Sequence, residues 1–334
     1  MESPVRIGVA TTSYSELGDL QETFGDRAEI SYVDISGSDA EAARALEGFD
    51  ALVVALERLD RPRFEALSGV VRVVGRSGIG LDSIDLDAAR DAGIAVIHQP
   101  DYGSREVATH ALALIMLLHR RIVESDRLAR SGWKGRAHLG DIPALDEMRI
   151  GVVGLGRIGG ALVERLRPLC GEILAFDPYA AAVPEGVRRV DDLDVLLRES
   201  GIVSLHLPLT DETRGIIGRD ELELLGPDGF IVNVSRGGLI DEQALADALH
   251  GGAIAGAGID VLSVEPPPAD HPLLSAPNLV LTPHTAWYSL ASERRCQHWT
   301  IGDILAYLRG GTLSGRLAVD PRVDGEPPVG GGNS

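Results

Sequence analysis

The sequence predicts an α/β protein made of two doubly wound parallel sheets. Three observations carry that reading. Short apolar runs alternate with helical patterns through the first hundred residues, a second alternating series begins at Arg149, and one long helical stretch from Glu106 separates the two. Alternation implies parallel strands, because each chain segment must return along a sheet face before it can add a strand in the same direction. At 334 residues the chain is long enough for two cores.

In the first series, Val5–Ala10, Glu29–Val33, Ala51–Val54, Val71–Val74 and Ala95–Ile97 read as strands. Glu16–Phe24, Asp39–Glu47, Arg61–Leu67 and Asp85–Asp91 read as the helices between them. Glu106 to Ile122 reads as one helix with Val107, Ala111, Leu114, Ile115 and Leu118 on its apolar face, followed by a polar, glycine-bearing stretch from about Arg130 to Asp146. In the second series, strands are expected at Ile150–Val153, Ile173–Phe176, Ile202–Leu205, Phe230–Asn233, Gly256–Asp260 and Leu279–Leu281. Helices are expected at Arg157–Leu166, Leu193–Glu199 and Glu242–His250, with a last one from Ala291 to about Leu308. The Gly- and Pro-rich tail, residues 320–334, is expected to be disordered.

Composition prunes the chemistry. The net charge of −19 argues against a nucleic-acid partner, which needs a basic surface to displace counterions. The N-terminus lacks a signal-peptide pattern and no apolar run is long enough to span a bilayer, so the chain is expected in the cytoplasm with no membrane partner. Cys170 and Cys296 make neither a disulfide framework nor a zinc site, and no metal is expected. Lys134, in the loop-like Ser131–Gly135 stretch, is the only lysine; no Gly-Lys-Ser/Thr P-loop exists, and a Schiff base has one candidate.

Gly154-Leu155-Gly156-Arg157-Ile158-Gly159 is a G-x-G-x-x-G run that leaves the strand Ile150–Val153 and opens a helix. The first glycine makes the turn, the second admits a pyrophosphate close to the backbone, and the third lets helix pack on strand. The helix N-terminus adds free N–H groups and a positive dipole end. Asp177 follows Gly156 by 21 residues, at the end of the next strand. A carboxylate there accepts from the adenosine ribose and repels a 2′-phosphate, which selects NAD over NADP.

Three later segments each bring polar residues to a strand end: Arg236 in Asn233–Gly238, Asp260 and Glu265 in Gly258–Pro266, and His284 in Leu281–Trp287. Ligands of open α/β sheets bind outside the carboxyl ends of the strands, so these loops are candidates for one crevice. In this order behind Gly154–Gly159 the segments resemble the D-isomer-specific 2-hydroxyacid dehydrogenase family, from about Val71 to Leu308. His206-Leu207-Pro208-Leu209-Thr210 with Thr213 is similar to that family's cofactor-contacting H-x-P-x-T loop. The resemblance implies a Rossmann NAD-binding domain, residues 102–285, inserted into a flavodoxin-like substrate domain, residues 1–101 with 286–319, and a homodimer. It implies a site in an interdomain cleft where Arg236 grips the carboxylate, His284 is the acid/base, Glu265 holds His284 and raises its pKa, and Asp260 contacts the nicotinamide carboxamide. Gly154, Gly156, Arg157, Ile158, Gly159, Asp177, His206, Pro208, Thr213 and Val234 are the other expected cofactor contacts. The residue types suit the reaction independently. Reduction of a 2-oxo acid builds negative charge on the carbonyl oxygen, which an imidazolium neutralises, and a forked guanidinium matches a carboxylate.

Two signals about the substrate compete. Gly75-Arg76-Ser77-Gly78-Ile79-Gly80 resembles the loop whose N–H groups bind the substrate carboxylate, and the stretch around it is similar to 3-phosphoglycerate dehydrogenases. Arg76 is then a candidate for a second anionic group, phosphate, phosphonate or carboxylate, or else a structural ion pair. Pro283-His284-Thr285-Ala286-Trp287-Tyr288-Ser289 resembles the C-terminal-binding proteins, NADH-sensing corepressors, where the tryptophan lines the substrate pocket; Trp287 either meets an apolar group or packs structurally. Gln99–Gly103 departs from the phosphoglycerate enzymes' asparagine-rich turn, and no regulatory domain follows Leu308. The alternatives to a 2-hydroxy acid dehydrogenase are therefore a corepressor-like dimeric scaffold and a phosphonate- or phosphite-type dehydrogenase.

Overall fold

A computed structural model of the chain describes residues 3–14, 16–133, 135 and 139–322. Lys134 and residues 323–334 of the tail lie outside this set. In chain order the elements are β1 (Val5–Ala10), α1 (Leu20–Phe24), β2 (Ala28–Val33), α2 (Asp39–Ala45), β3 (Ala51–Val54), α3 (Arg61–Leu67), β4 (Val73–Arg76), α4 (Leu86–Asp91) and β5 (Ala95–His98). Then come α5 (Ser104–His119), α6 (Ile122–Arg130), β6 (Arg149–Val153), α7 (Arg157–Leu166), β7 (Glu172–Phe176), β8 (Val187–Arg189), α8 (Leu193–Glu199), β9 (Ile202–Leu205) and α9 (Arg219–Leu225). The chain closes with β10 (Phe230–Asn233), α10 (Glu242–Gly251), β11 (Gly256–Ile259), β12 (Leu279–Leu281), α11 (Leu290–Arg309) and β13 (Arg316–Val319).

These elements divide into two units, one of residues 1–103 with 289–334 and the other of residues 104–288. The first has strand order β13-β5-β4-β3-β1-β2, parallel except for the antiparallel edge strand β13. Without β13 this is the 2-1-3-4-5 order of flavodoxin-like sheets. The second has order β12-β11-β10-β9-β6-β7-β8, all parallel, with its reversal of direction at β6/β9. That is the Rossmann order with one added strand. Both sheets are buried on two faces. In the second unit Val153 points to one cluster with Leu196, Ile231 and Leu245, while Ile150 and Val152 point to the other with Ala111, Leu114 and Leu162. Each such fully buried aliphatic side chain contributes about 1.5–3 kcal/mol relative to exposure.

Most helix starts follow from local chemistry. Ser38 caps α2 in a capping box with Glu41, and Asp60, Asp85, Asp192 and Asp241 cap α3, α4, α8 and α10 through their side chains. The expected single helix over Glu106–Ile122 is a correction: α5 ends at His119, Arg121 turns left-handed at φ 47°, and α6 follows. The Arg121 guanidinium lies 5.6 Å from the centre of the Phe230 ring and pairs with Glu124 at 3.5 Å, so tertiary contacts hold the break. The first helix is also shorter than expected, because Gly18 turns at φ 51° before it. Strands β8 and β13 and helix α9 have no clear signature in the sequence. The end of β4 is Arg76, two residues beyond the expected strand. Residues 320–322 are ordered against α11: Tyr307 donates to Asp320 at 3.0 Å, and the Arg322 guanidinium stacks on the Tyr307 ring. Among the described residues no helix is long and apolar enough to cross a membrane.

Candidate active site

Within the second unit, the turn from β6 into α7 is shaped by its glycines. Gly154 adopts φ 94°, and a Cβ there would lie 2.6 Å from the His206 carbonyl oxygen. A Cβ on Gly159 would lie 2.0 Å from the carbonyl oxygen of Gly154, so α7 seats on the turn only without a side chain at this position. Gly156 differs: a Cβ there would meet nothing within 4 Å. Unlike the helices capped by Ser or Asp, α7 begins on Gly156 with no side-chain cap, which leaves the N–H groups of its first turn for an external acceptor. Arg157 is exposed at the first helical position, while Ile158 packs partly against the core.

Asp177 is held at the end of β7 by three backbone donors: Leu155 at 2.7 Å, and Tyr179 and Ala180 at 2.9 and 3.1 Å. The carboxylate thus sits against the glycine turn, where an adenosine ribose hydroxyl would meet it. A bare helix N-terminus, an open approach over Gly156 and an acid beside it fit a dinucleotide.

The other expected cofactor residues divide. Thr213 staples its loop, donating to the Pro208 carbonyl at 2.7 Å and accepting from the Thr210 N–H at 2.8 Å. His206 shares a 2.9 Å hydrogen bond with Ser204 through Nε2, while its Nδ1 is buried without a partner. Burial pushes the ring's pKa from 6.5 down to about 4, so it is neutral at physiological pH. The Val234 side chain is buried in the core, so only its backbone is open to a ligand.

Three loops bring the catalytic candidates together. Asn233 fixes the first: its side-chain amide donates to the Arg236 carbonyl at 2.8 Å, and its side-chain oxygen accepts from the Ser235 N–H at 3.0 Å. A Cβ on Gly237 would come within 2.0 Å of the Leu262 carbonyl carbon, so the missing side chain lets the Arg236 loop lie against the segment leading to Glu265. Glu265 accepts from the Leu262 N–H at 2.7 Å with one oxygen and from His284 Nδ1 at 2.6 Å with the other. Burial pushes the Glu265 carboxyl up, but the His284 and Leu262 hydrogen bonds and the charge of Arg236 outweigh it and hold the pKa below 4.5. Because Nδ1 is committed to Glu265, Nε2 is the ring nitrogen left for proton exchange.

His284 has a left-handed backbone, φ 54°, which costs a non-glycine residue about 1–3 kcal/mol. Its N–H donates to the Asp260 carbonyl at 2.8 Å. The Asp260 side chain accepts from the Thr282 hydroxyl at 2.5 Å and from the N–H groups of Thr285 and Ala286, both at 3.0 Å. Asp260 is only 2% exposed, and these bonds tie the loop after β12 to it. Sequence reasoning missed Asn233 and Thr282, because each looks like an ordinary polar residue at a strand end. Trp287 packs partly against the core of its own unit and meets Tyr288 edge-on at 5.6 Å.

In the first unit, Ser77 of the Arg76–Gly80 loop is tied into the protein: its N–H donates to the Val54 carbonyl at 2.8 Å, and its hydroxyl lies 3.0 Å from the Tyr14 hydroxyl and 3.3 Å from Cys296 Sγ. Both are buried, and burial pushes the Cys296 thiol up to about 11. The Arg76 guanidinium folds over the loop, donating to the Ser77 carbonyl at 2.6 Å, and a Cβ on Gly78 would come 2.2 Å from it.

With this geometry in place, the comparisons with known proteins are specific. The family model for the NAD-binding domain of D-isomer specific 2-hydroxyacid dehydrogenases matches residues 112–286. A D-3-phosphoglycerate dehydrogenase from Archaeoglobus fulgidus is 36% identical over 274 residues, covering 80% of this chain and 50% of its own. A glyoxylate reductase from Korarchaeum cryptofilum is 40% identical over 268 residues, covering 78% of this chain and 80% of its own. The chain therefore spans about half the length of the phosphoglycerate dehydrogenases it matches. Among solved structures, the NAD-complexed D-isomer specific 2-hydroxyacid dehydrogenase of Lactobacillus delbrueckii ssp. bulgaricus superposes with a TM-score of 0.75 at 26% identity, over 93% of this chain and 99% of that one.

Proposed function

The chain belongs to the D-isomer specific 2-hydroxyacid dehydrogenase family, and from that premise we propose that it is an NAD-dependent dehydrogenase interconverting a 2-hydroxy acid and its 2-oxo acid. The observation that carries the proposal is the 2.6 Å pairing of His284 Nδ1 with Glu265, on a loop set beside Arg236. The dinucleotide is assigned to Gly154–Gly159, Asp177, the His206–Thr213 loop, the backbone at Val234 and the neighbourhood of Asp260. When bound, it exchanges hydride with C2 of the substrate. In reduction, His284 Nε2 gives a proton to the oxygen on C2, and in oxidation it takes that proton back. Glu265 stays ionised and faces the imidazolium as it forms, and Arg236 grips the carboxylate through its fork. A paired, ionised Glu265 favours this chemistry over a scaffold that merely senses NADH.

For the substrate we favour an acid with a second anionic group, held by Arg76 while the backbone of Gly78 and Ile79 takes the carboxylate. The position of the guanidinium over Gly78 and the likeness to D-3-phosphoglycerate dehydrogenases support this. Trp287, packed against its own unit, then borders the substrate rather than selecting an apolar group. The test is a panel of 2-oxo acids, with and without a second anion, against NADH. His284→Ala is expected to lose about 10²–10⁴-fold in kcat while NADH binding is kept. Tight NADH binding without turnover on the whole panel would sink the enzyme reading.

We assign a homodimer to the α5–α6 face. Helix α6 buries none of its residues and exposes Ile122 and Val123 beside a groove lined by Leu117, Leu118, Phe230 and Val280. Light scattering is expected to give twice the chain mass; a monomer mass removes this assignment. A reducing cytoplasm suits the two free cysteines.

A further inference from the structure

We infer that His110, on α5, is a positioning residue for His284, acting through Thr282 and Asp260. The inference rests on the reading of His284 as acid/base. It starts from how closely α5 approaches the sheet. At Gly258 on β11 a Cβ would lie 3.2 Å from Leu114 Cβ and 3.3 Å from Leu118 Cδ1, so the helix seats there because that side chain is missing. His110 is one turn before Leu114, on the same helix face. Its Nε2 reaches to 3.0 Å from the Thr282 hydroxyl oxygen, just past the end of β12.

Counting protons fixes the direction of the chain. Thr282 has one hydroxyl proton and lies 2.5 Å from Asp260 Oδ1. An ionised carboxylate only accepts, so that proton goes to Asp260, and His110 Nε2 must donate to Thr282. The relay therefore runs from His110 to Thr282 to Asp260. Asp260 in turn receives the N–H groups of Thr285 and Ala286, and its carbonyl receives the N–H of His284 itself. The N–H groups of His284, Thr285 and Ala286 thus all end on Asp260, that of His284 being shared with the Thr282 carbonyl.

A second observation points the same way. The Asp260 carboxylate is buried, and among the described residues the His110 ring, at 3.8 Å, is the one cation-capable side chain within ion-pair reach. A buried carboxylate needs full satisfaction, and a hydrogen-bonded chain polarised by an imidazole supplies it. His110 thereby pins the Thr282 rotamer, keeps Asp260 in place, and through Asp260 sets the direction of His284 Nε2.

The experiment compares His110→Ala and Thr282→Val with His110→Gln and Thr282→Ser, since Gln keeps an N–H donor near the Nε2 position and Ser keeps the hydroxyl. The first pair is expected to lose about tenfold or more in kcat with the KM for NADH unchanged, and the second pair to stay within about twofold of the parent. Parent-like kcat in His110→Ala overturns the inference. So does equal loss in His110→Gln and His110→Ala, which would mark a packing role. The His284 ring resonances, read by NMR without substrate, are expected to move in His110→Ala and Thr282→Val and to stay near the parent in His110→Gln; unmoved resonances in all variants overturn it as well. If the parent enzyme turns over no 2-oxo acid while this spectral pattern holds, the dehydrogenase reading fails and the coupling to His284 stands.

Discussion

Two loops leave the carboxyl ends of parallel strands in this chain and are built in opposite ways. The loop after β12 hangs on one buried carboxylate, Asp260, which collects a hydroxyl and two backbone N–H groups around a strained His284. The loop after β4 is held from beneath by neutral groups, the hydroxyls of Tyr14 and Ser77 and the thiol of Cys296, while the side chain of Arg76, at the strand end, folds over it. On the roles proposed for His284 and Arg76, the difference separates two duties. A proton-transfer group must be held within a fraction of an ångström, which justifies burying a charge to hold it. A recognition group works by charge over a longer reach, and a looser support suffices.

Breaking the first loop's pairing has the largest expected effect. Glu265→Gln keeps the acceptor for the Leu262 N–H but removes the charge facing His284. It is expected to cost about 10²-fold in kcat while NADH affinity is retained, measured by steady-state kinetics and fluorescence titration. Kinetics like the parent's would show that the pair is structural. The pH sign follows from the lowered carboxyl pKa. Glu265 titrates below 4.5, so the midpoint of any activity lost through its protonation is expected below that value as pH falls.

A middle effect concerns stability rather than rate. His206 is held neutral, with its pKa moved from 6.5 to about 4. The unfolded chain takes up the proton first, so stability is complete above 6.5 and drains away as pH falls from 6.5 through about 4. His206→Gln is expected to flatten the decline of the urea midpoint over that window. Equal slopes in the two proteins would contradict the buried neutral ring.

The smallest effect sharpens the second loop. Arg76→Ala is expected to raise KM several-fold, roughly 1 kcal/mol, for a doubly anionic substrate and to leave a mono-anionic one unchanged. Equal changes for both substrates would remove Arg76 from recognition.

The sequence by itself determined the alternation of strands and helices, most helix starts and the dinucleotide turn. Each is largely a local matter. Ser38 and Asp60 cap the helices they precede, and Gly159 answers to the carbonyl of Gly154 in the same turn, although Gly154 itself is pressed by the distant His206 carbonyl. It also singled out Arg236, Glu265 and His284 as candidates, since each follows a strand end in the expected order. Only the tertiary structure decided where α5 stops, because Arg121 turns against Phe230, more than a hundred residues away in sequence. Only it turned Ser77 inward, towards Tyr14 and Cys296 from opposite ends of the chain. The place of Asp260 was also decided there, because a carboxylate's role depends on which donors reach it, and its partners Thr282, Thr285 and Ala286 arrive from the loop after the next strand. Short-range rules end where a side chain can choose among distant partners, and the loop that holds His284 is built from such choices.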